Sequence, residues 1–358
     1  MKKDIKKFLL IDNGQPFNLN TPYTDPLGGS ETSILLLSKG LSDLGHSVII
    51  LTPNTVNVPE QKGNRLLHNI NAMPSIIPEA DFIIFNRNSL NEELYRSNKR
   101  LFCYCHDAYD QQHILSWMLE PKLVDRVEKF LCVSKWQKNT FHKYMKIPNE
   151  KMVVVGNSLD ESLYYGYTER NLNKLMFAGI PYKGVEALKD LFEDICIRSK
   201  LDNLELHIFS SMGLYGSDDK EYEKQFSQLK KTKGVVLRSL ESMKALAKEL
   251  ASSSLYIHPS TYHESFGMLT IQAQAAGCLP VLVNNGANTE VVINGETGFI
   301  VDGKTIWNSK CYNNFVNTVV ALLNKDKNEL YKHRLKAQTW AKQWSYIKVT
   351  QKIIKLLL

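Results

Sequence analysis

Residues 256–277 read Tyr256-Ile-His-Pro-Ser-Thr-Tyr-His-Glu264-Ser-Phe-Gly267-Met-Leu-Thr-Ile-Gln272-Ala-Gln-Ala-Ala-Gly277, and Cys278-Leu-Pro280-Val-Leu-Val283 follows. Ser254 to Ile257 is a short β-prone run. Pro259 stops it, because proline cannot donate to a central sheet ladder. Gly267 ends an irregular loop, Met268 to Ala276 holds good helix formers, and Gly277 stands where a helix C-cap belongs. Pro280 to Val283 predicts a second strand. The unit is strand, loop, helix, strand.

A helix that starts near Gly267 presents amides with no partner inside the helix, at the positive end of its dipole. A phosphate or a sugar oxygen can dock on them, and a glycine lets the ligand come close. Glu264 lies in the loop before the helix. Gln272 lies about one turn in, on the face of Met268 and Ala276. On these residues alone, Glu264 as a solvated loop acid and Gln272 as a surface residue is an equally open reading.

The stretch resembles the signature of the retaining glycosyltransferases of family 4, which have the GT-B fold. The resemblance rests on Pro259-Ser260, Glu264, Phe266-Gly267, Ala276-Gly277 and Pro280-Val281, with Gly286, Glu290 and Gly298 matching downstream. It departs at the family's second acid, where this chain has Gln272. The resemblance implies an α/β protein of two Rossmann-like domains with a cleft between them and a C-terminal crossover helix. It implies that a sugar moves from a nucleoside diphosphate sugar to a hydroxyl acceptor, a glycan or lipid-linked glycan, with retention and without a metal. Ser265, Phe266, Gly267, Met268, Leu269 and Gln272 are the implied donor-binding residues, with Gln272 at the ribose. Glu264 is the implied catalytic residue at the sugar.

Composition sets wider bounds. The chain has 358 residues, 43% of them hydrophobic, enough for two domains with separate cores. No run of about twenty apolar residues could form a membrane-spanning helix. The charged start, Met1 to Lys7, is like part of a signal peptide, but Phe8 to Ile11 is too short and is cut by Asp12, so it reads as a first strand. Six cysteines lie at 103, 105, 132, 196, 278 and 311 without metal spacing, which fits a reduced cytoplasmic protein. The net charge of +7 suits an acidic partner: a nucleotide, an anionic membrane surface at the inner face, or a nucleic acid acceptor.

Taken in order, Lys7 to Ile11 is a strand, Ser30 an N-cap, and the helix after it runs through Gly45, with a strand from His46 to Leu51. This βαβ pattern implies a parallel sheet. Ala80 to Phe85, Arg100 to Cys105 and Phe130 to Ser134 read as further buried strands. Trp136 to Lys146 mixes lysines with Trp136, Phe141 and Tyr144; it is a helix with a solvated basic face or, more sharply, an acceptor or membrane-surface patch. The family resemblance assigns Gly28-Gly29 to the donor's phosphates and His106, at the end of a strand, to the donor sugar near the reacting carbon. It ends the first domain at 1–160, where Ser158 replaces the usual glycine, and sets the donor domain at 170–344, with the helix 345–358 returning to the first. Lys174 to Ala178 opens the second domain. The family's Gly-Arg is here Gly179-Ile180, while Lys183-Gly184 is kept, so Lys183 is the implied diphosphate cation and catalytic residue, acting as a point charge. Two rival readings remain: a nucleotide-sugar epimerase on the same fold, and a degenerate, non-catalytic subunit suggested by Gln272 and Ile180.

Overall fold

A computed structural model describes residues 4–53, 59–87, 90–111, 115–164 and 170–358. The centre of the expected linker, 165–169, lies outside the described residues. The chain forms two compact units. One comprises the residues up to Pro22, Leu27–Asp160 and Trp344–Leu358; the other comprises Tyr23–Pro26 and Glu161–Gln343.

The first unit carries strands β1 (Lys7–Ile11), β2 (Ser47–Thr52), β3 (Glu60–Lys62), β4 (Arg65–Asn69), β5 (Phe82–Asn86), β6 (Leu101–Cys105), β7 (Lys129–Cys132) and β8 (Met152–Val154), in the order β3-β4-β2-β1-β5-β6-β7-β8. All neighbours pair in parallel except β3 with β4. The apolar runs are buried on both faces, as parallel strands covered by helices must be; every residue of β5 and β6 is buried. Leu9, Ile11, Ile83, Phe85, Cys103 and Phe130 share one core cluster. Cys103 and Cys105 fall on one face with sulfurs 3.8 Å apart, and all six cysteines are free thiols.

Helix α1 (Gly29–Asp43) begins two residues earlier than Ser30 capping would require. Its N-cap is Gly28, with extended backbone and no side-chain cap. Ser30 therefore lies inside the first turn, where its hydroxyl donates to Glu31 Oε2 at 2.9 Å. The helix stops at Asp43, not Gly45. Ser134 does cap its helix, α2 (Lys135–Met145), accepting from the Gln137 amide. The last helix, α3 (Tyr346–Leu357), belongs to this unit and packs on α1. Gly40 makes room for Thr350, the Tyr346 hydroxyl donates to Asp43 at 2.9 Å, and Lys39 Nζ sits 3.6 Å from the centre of the Tyr346 ring.

The second unit holds β9 (Asn171–Ala178), β10 (Glu205–Phe209), β11 (Val235–Arg238), β12 (Ser253–His258), β13 (Leu279–Val283) and β14 (Phe299–Val301), ordered β11-β10-β9-β12-β13-β14 and parallel throughout. This is the doubly wound order, whose direction reverses between β9 and β12. The first unit reverses in the same way between β1 and β5. Ligands of open α/β sheets bind outside the carboxyl ends of strands at such a switch point.

Candidate active site

In the second unit the switch point gathers residues far apart in sequence. After β9 the chain turns at Gly179, makes a tight turn over Pro181–Lys183, and enters a helix at Val185. After β12 it runs through Pro259 to Gly267 and enters the helix Met268–Ala275. Gly184, at φ 131°, lies against Pro259, so the two loops touch. Lys183 Nζ meets Glu264 Oε1 at 2.7 Å. His258 Nε2 reaches the same oxygen at 3.2 Å, and the Tyr256 hydroxyl lies 3.2 Å from His258 Nδ1. Glu264, His258 and Tyr256 are buried. Burial opposes ionisation of Glu264, but the Lys183 charge and the His258 hydrogen bond outweigh it and hold its pKa down at about 2. The solvated-acid reading therefore fails: Glu264 is a buried, ionised carboxylate with a cation beside it.

The backbone around Glu264 is fixed from a third loop. The Ala287 amide donates to the Glu264 carbonyl at 2.8 Å, and Gly286, at φ 63°, passes so close that a Cβ there would overlap the Glu264 backbone. Phe266 is buried and anchors the loop. Gly267 takes φ 92°, which a glycine adopts without strain, and Ser265, Gly267, Met268 and Leu269 stay half-buried at the helix start. Gln272 is buried at 5% exposure, so the surface reading fails for it too. Ile180 is likewise buried; the usual place of the arginine is an apolar contact here. Tyr182 and Tyr262 flank the pair, with ring centres 5.2 Å apart and Lys183 Nζ 5.4 Å from the Tyr262 ring.

The first unit has its own polar cluster at the carboxyl ends of β1, β5 and β6. Asp12 accepts from the Gly14 amide and from Asn86 Nδ2, both at 2.7 Å. Arg87 meets Glu31 at 3.0 Å and Asp107 at 3.7 Å. Burial, and then the nearby Glu31 charge, push the Asp12 carboxyl up to about 6 against those bonds and Arg87. Arg87 itself holds a left-handed φ of 53°, an uncommon backbone for a bulky residue, and its carbonyl accepts from Trp117 at 3.0 Å. His106 is buried, 4.2 Å from the Tyr104 ring. Burial and the Arg87 charge lower its pKa to about 3, against a hydrogen bond with Asn157. It is a neutral imidazole.

The structure thus brings Lys183, Glu264 and the Gly267 helix start together in one unit, and in the other Arg87 links Glu31, in the first turn after Gly28-Gly29, to Asp107, the residue after His106. Asp12, Asn86, Arg87 and the roles of His258 and Tyr256 were not read from sequence. Their signal was position: each ends or directly follows a buried strand. The basic helix α2 spends part of its charge internally, since Lys138 donates to the Met152 carbonyl. Its outer face keeps Tyr144 stacked on Tyr109 at 4.3 Å. Among the described residues no helix is long and apolar enough to cross a membrane, and no three His, Cys, Asp or Glu side chains gather so as to hold a metal ion.

Comparison with known proteins adds two family matches. Residues 173–309 match the family described as Glycosyl transferases group 1, and residues 27–163 match Glycosyltransferase Family 4. The solved structure of Anabaena HepE in complex with UDP-glucose superposes with a TM-score of 0.73 at 18% identity, over 98% of this chain and 99% of that one. The chain has the GT-B fold. A sucrose-phosphate synthase from Thermosynechococcus elongatus has the same fold, at TM-score 0.73 and 14% identity, over 98% of both chains. Among curated proteins, an uncharacterized glycosyltransferase of Methanocaldococcus jannaschii is 25% identical over 49% of this chain and 45% of its own length. A lipopolysaccharide 1,2-N-acetylglucosaminetransferase of Salmonella typhimurium is 24% identical over 64% of this chain and 62% of its own. The matches thus span less than two thirds of either curated relative. In this GT-B chain the group 1 match covers both loops of the Lys183–Glu264 pair, and the family 4 match covers Gly28, Gly29 and His106.

Proposed function

We propose that this protein transfers a sugar from a nucleoside diphosphate sugar to a hydroxyl of a glycan or lipid-linked glycan, with retention at the anomeric carbon. The observation that carries the reading is the pair of half-buried Lys183 and buried Glu264 at the switch point, beside a glycine-opened helix start. The hard step is departure of the nucleoside diphosphate. Lys183 and the amides after Gly267 are fixed before the reaction and aim positive charge at the growing negative charge, which is electrostatic catalysis by preorganised donors. Ionised Glu264 binds the sugar's hydroxyls and shields the cation-like carbon. Gln272 holds the ribose, and Ser265, Phe266, Met268 and Leu269 line the donor site. By family resemblance the first unit supplies neutral His106 at the sugar, the Gly28-Gly29 amides at the phosphates, and the acceptor site. A cytoplasmic place, with peripheral membrane contact through the basic face of α2, completes the proposal.

The test is a thermal-shift screen of nucleotide sugars followed by a transfer assay. UDP-glucose comes first because a protein of the same fold was solved with it. A ligand at 100 times its dissociation constant adds about 2.7 kcal/mol. Transfer should survive excess EDTA; complete loss, restored by magnesium or manganese, rejects the metal-free part. The buried Ile180 favours one rival, a donor-binding subunit without catalysis. Binding without transfer to any hydroxyl acceptor would establish it, and conversion of the donor sugar to its epimer would establish the epimerase.

A further inference from the structure

Both protein bonds to the Glu264 side chain fall on one oxygen. Lys183 and His258 share Oε1, and among the described residues none bonds Oε2. A carboxylate has about four acceptor sites, so half of its capacity is turned away from the protein. The imidazole on Oε1 is itself held. Tyr256 and His258 project from the same face of β12, with rings 5.7 Å apart and nearly parallel, and Phe177 of β9 stacks on His258 at 6.0 Å. Ionised Glu264 has no proton to give, so Nε2 must carry one. The Tyr256 hydroxyl lies 3.2 Å from Nδ1 and 3.3 Å from the Ala178 carbonyl of β9, so it ties the far side of the ring to the neighbouring strand. Tyr256 thereby braces the imidazole, and the proton on Nε2 holds the carboxylate. Lys183 cannot do this during turnover: on the reading proposed above, its charge moves to the diphosphate.

We propose that His258, locked by Tyr256, is a positioning residue that keeps Glu264 Oε1 toward the protein and presents Oε2 to the donor sugar. The inference rests on the sugar-transfer reading, so its test includes an arm that needs no activity. In ¹⁵N-histidine NMR of the whole protein, the His258 signals are those missing from the His258→Gln spectrum. They should show a proton on Nε2, and Tyr256→Phe should shift the Nδ1 signal, which loses its hydroxyl partner. In the transfer assay, His258→Ala should lower kcat by about 10²-fold, the scale of a small misplacement at the reacting centre. Tyr256→Phe should lower it by about tenfold, with the donor KM within threefold in both variants. His258→Gln, whose amide still donates, should recover most of the rate. The acid limb of kcat should move to higher pH in His258→Ala, because the carboxylate loses a donor. Tyr256→Phe is nearly isosteric and keeps the test open if His258→Ala does not fold. A wild-type ring with no proton on Nε2 overturns the inference, as does a Tyr256→Phe variant with unchanged Nδ1 signal and kcat. If the wild type transfers no sugar yet Nε2 carries a proton, the transfer reading fails and the hold on Glu264 stands.

Discussion

Replacing Lys183 with alanine tests stability and chemistry at once. Among the described residues the change leaves buried Glu264 with His258 as its one side-chain hydrogen-bond partner. Breaking a fully buried ion pair by removing one member costs about 3–5 kcal/mol. Here the Lys183 side chain is 21% exposed and that of Glu264 11%, so water reaches the pair and about 2 kcal/mol is the better figure. There is also a ceiling. The carboxyl can take up a proton instead of staying charged, and at pH 7, from an ordinary pKa of 4.5, that costs about 3.4 kcal/mol. Glu264 in the variant has a raised folded pKa, so its penalty is present above that pKa and is lost as pH falls toward 4.5. In the wild type the same group is depressed, and its contribution holds down to pH 4.5 and is lost only as pH falls through about 2. The deficit of Lys183→Ala should therefore shrink between pH 7 and pH 5.

Calorimetry of the second unit's unfolding reads this directly. For a domain of this size 1 kcal/mol moves the midpoint by about 2–4 °C, so a loss of about 4–8 °C is expected at pH 7. The double variant Lys183→Ala/Glu264→Gln should regain part of it. Equal midpoints for single and double variants, or a deficit that does not change with pH, would refute the paired-charge account. In steady-state kinetics the loss of one preorganised donor should cost about 10²–10³ in rate. A loss under fivefold, or one matched by a single lysine change between Lys135 and Lys146, would mean that another cation stabilises the leaving group.

Three further outcomes follow from the same geometry. Gln272→Glu should leave turnover nearly unchanged and tighten the nucleoside diphosphate up to about tenfold, since a charged acceptor adds about 1–1.5 kcal/mol over a neutral one; calorimetric titration showing no change in either Gln272→Glu or Gln272→Ala would remove Gln272 from the ribose. Gly286→Ala should abolish transfer, because its Cβ overlaps the Glu264 backbone, whereas Gly295→Ala, with φ 78° but open space around it, should carry only the left-handed strain and keep activity; equal activities would refute the loop-holding role. His106 and Asp12 should oppose each other in acid. Neutral His106, with a folded pKa near 3, loses stability as pH falls below 6.5, and Asp12, raised to about 6, gains stability as pH falls from 6 toward 3.8. His106→Gln should therefore gain about 1.4 kcal/mol per pH unit relative to wild type between pH 6 and pH 4, measured by denaturant unfolding of the first unit; a flat difference would show that His106 is not held neutral.

Much of the fold was legible because its strands are apolar runs of a few residues closed by Gly, Pro or Asp. Lys7–Ile11 agrees with the expected span, and Leu101–Cys105 falls within one residue of the expected Arg100 to Cys105. Helix starts were harder. Ser30 looked like a cap because serine favours that place, but Gly28 supplies the extended entry and the helix closes on its carbonyl, with Thr32 N donating to Gly28 O. Local preference was overridden by backbone geometry two residues earlier.

The site divides along a different line. Glu264 and Gly267 stand together in one short stretch, so their meeting needed no fold. Lys183 reaches Glu264 only because β9 and β12 are neighbours in the sheet, a fact of strand order that spacing does not carry. The same is true of Asp12, Asn86 and Arg87, whose ends meet because β1 pairs with β5. Ile180 shows what this hides. In sequence it reads as a lost cation. In the fold its side chain is buried, in a loop that turns straight into the helix at Val185. An arginine placed there would have to bury its charge or reopen the loop, either of which costs several kcal/mol. On the proposed transfer reading, charge at the leaving group is concentrated on Lys183 and the helix amides, and Glu264, paired with Lys183 in this structure, becomes the group whose orientation must be kept by something other than that lysine. His258 is the described side chain in position to do so.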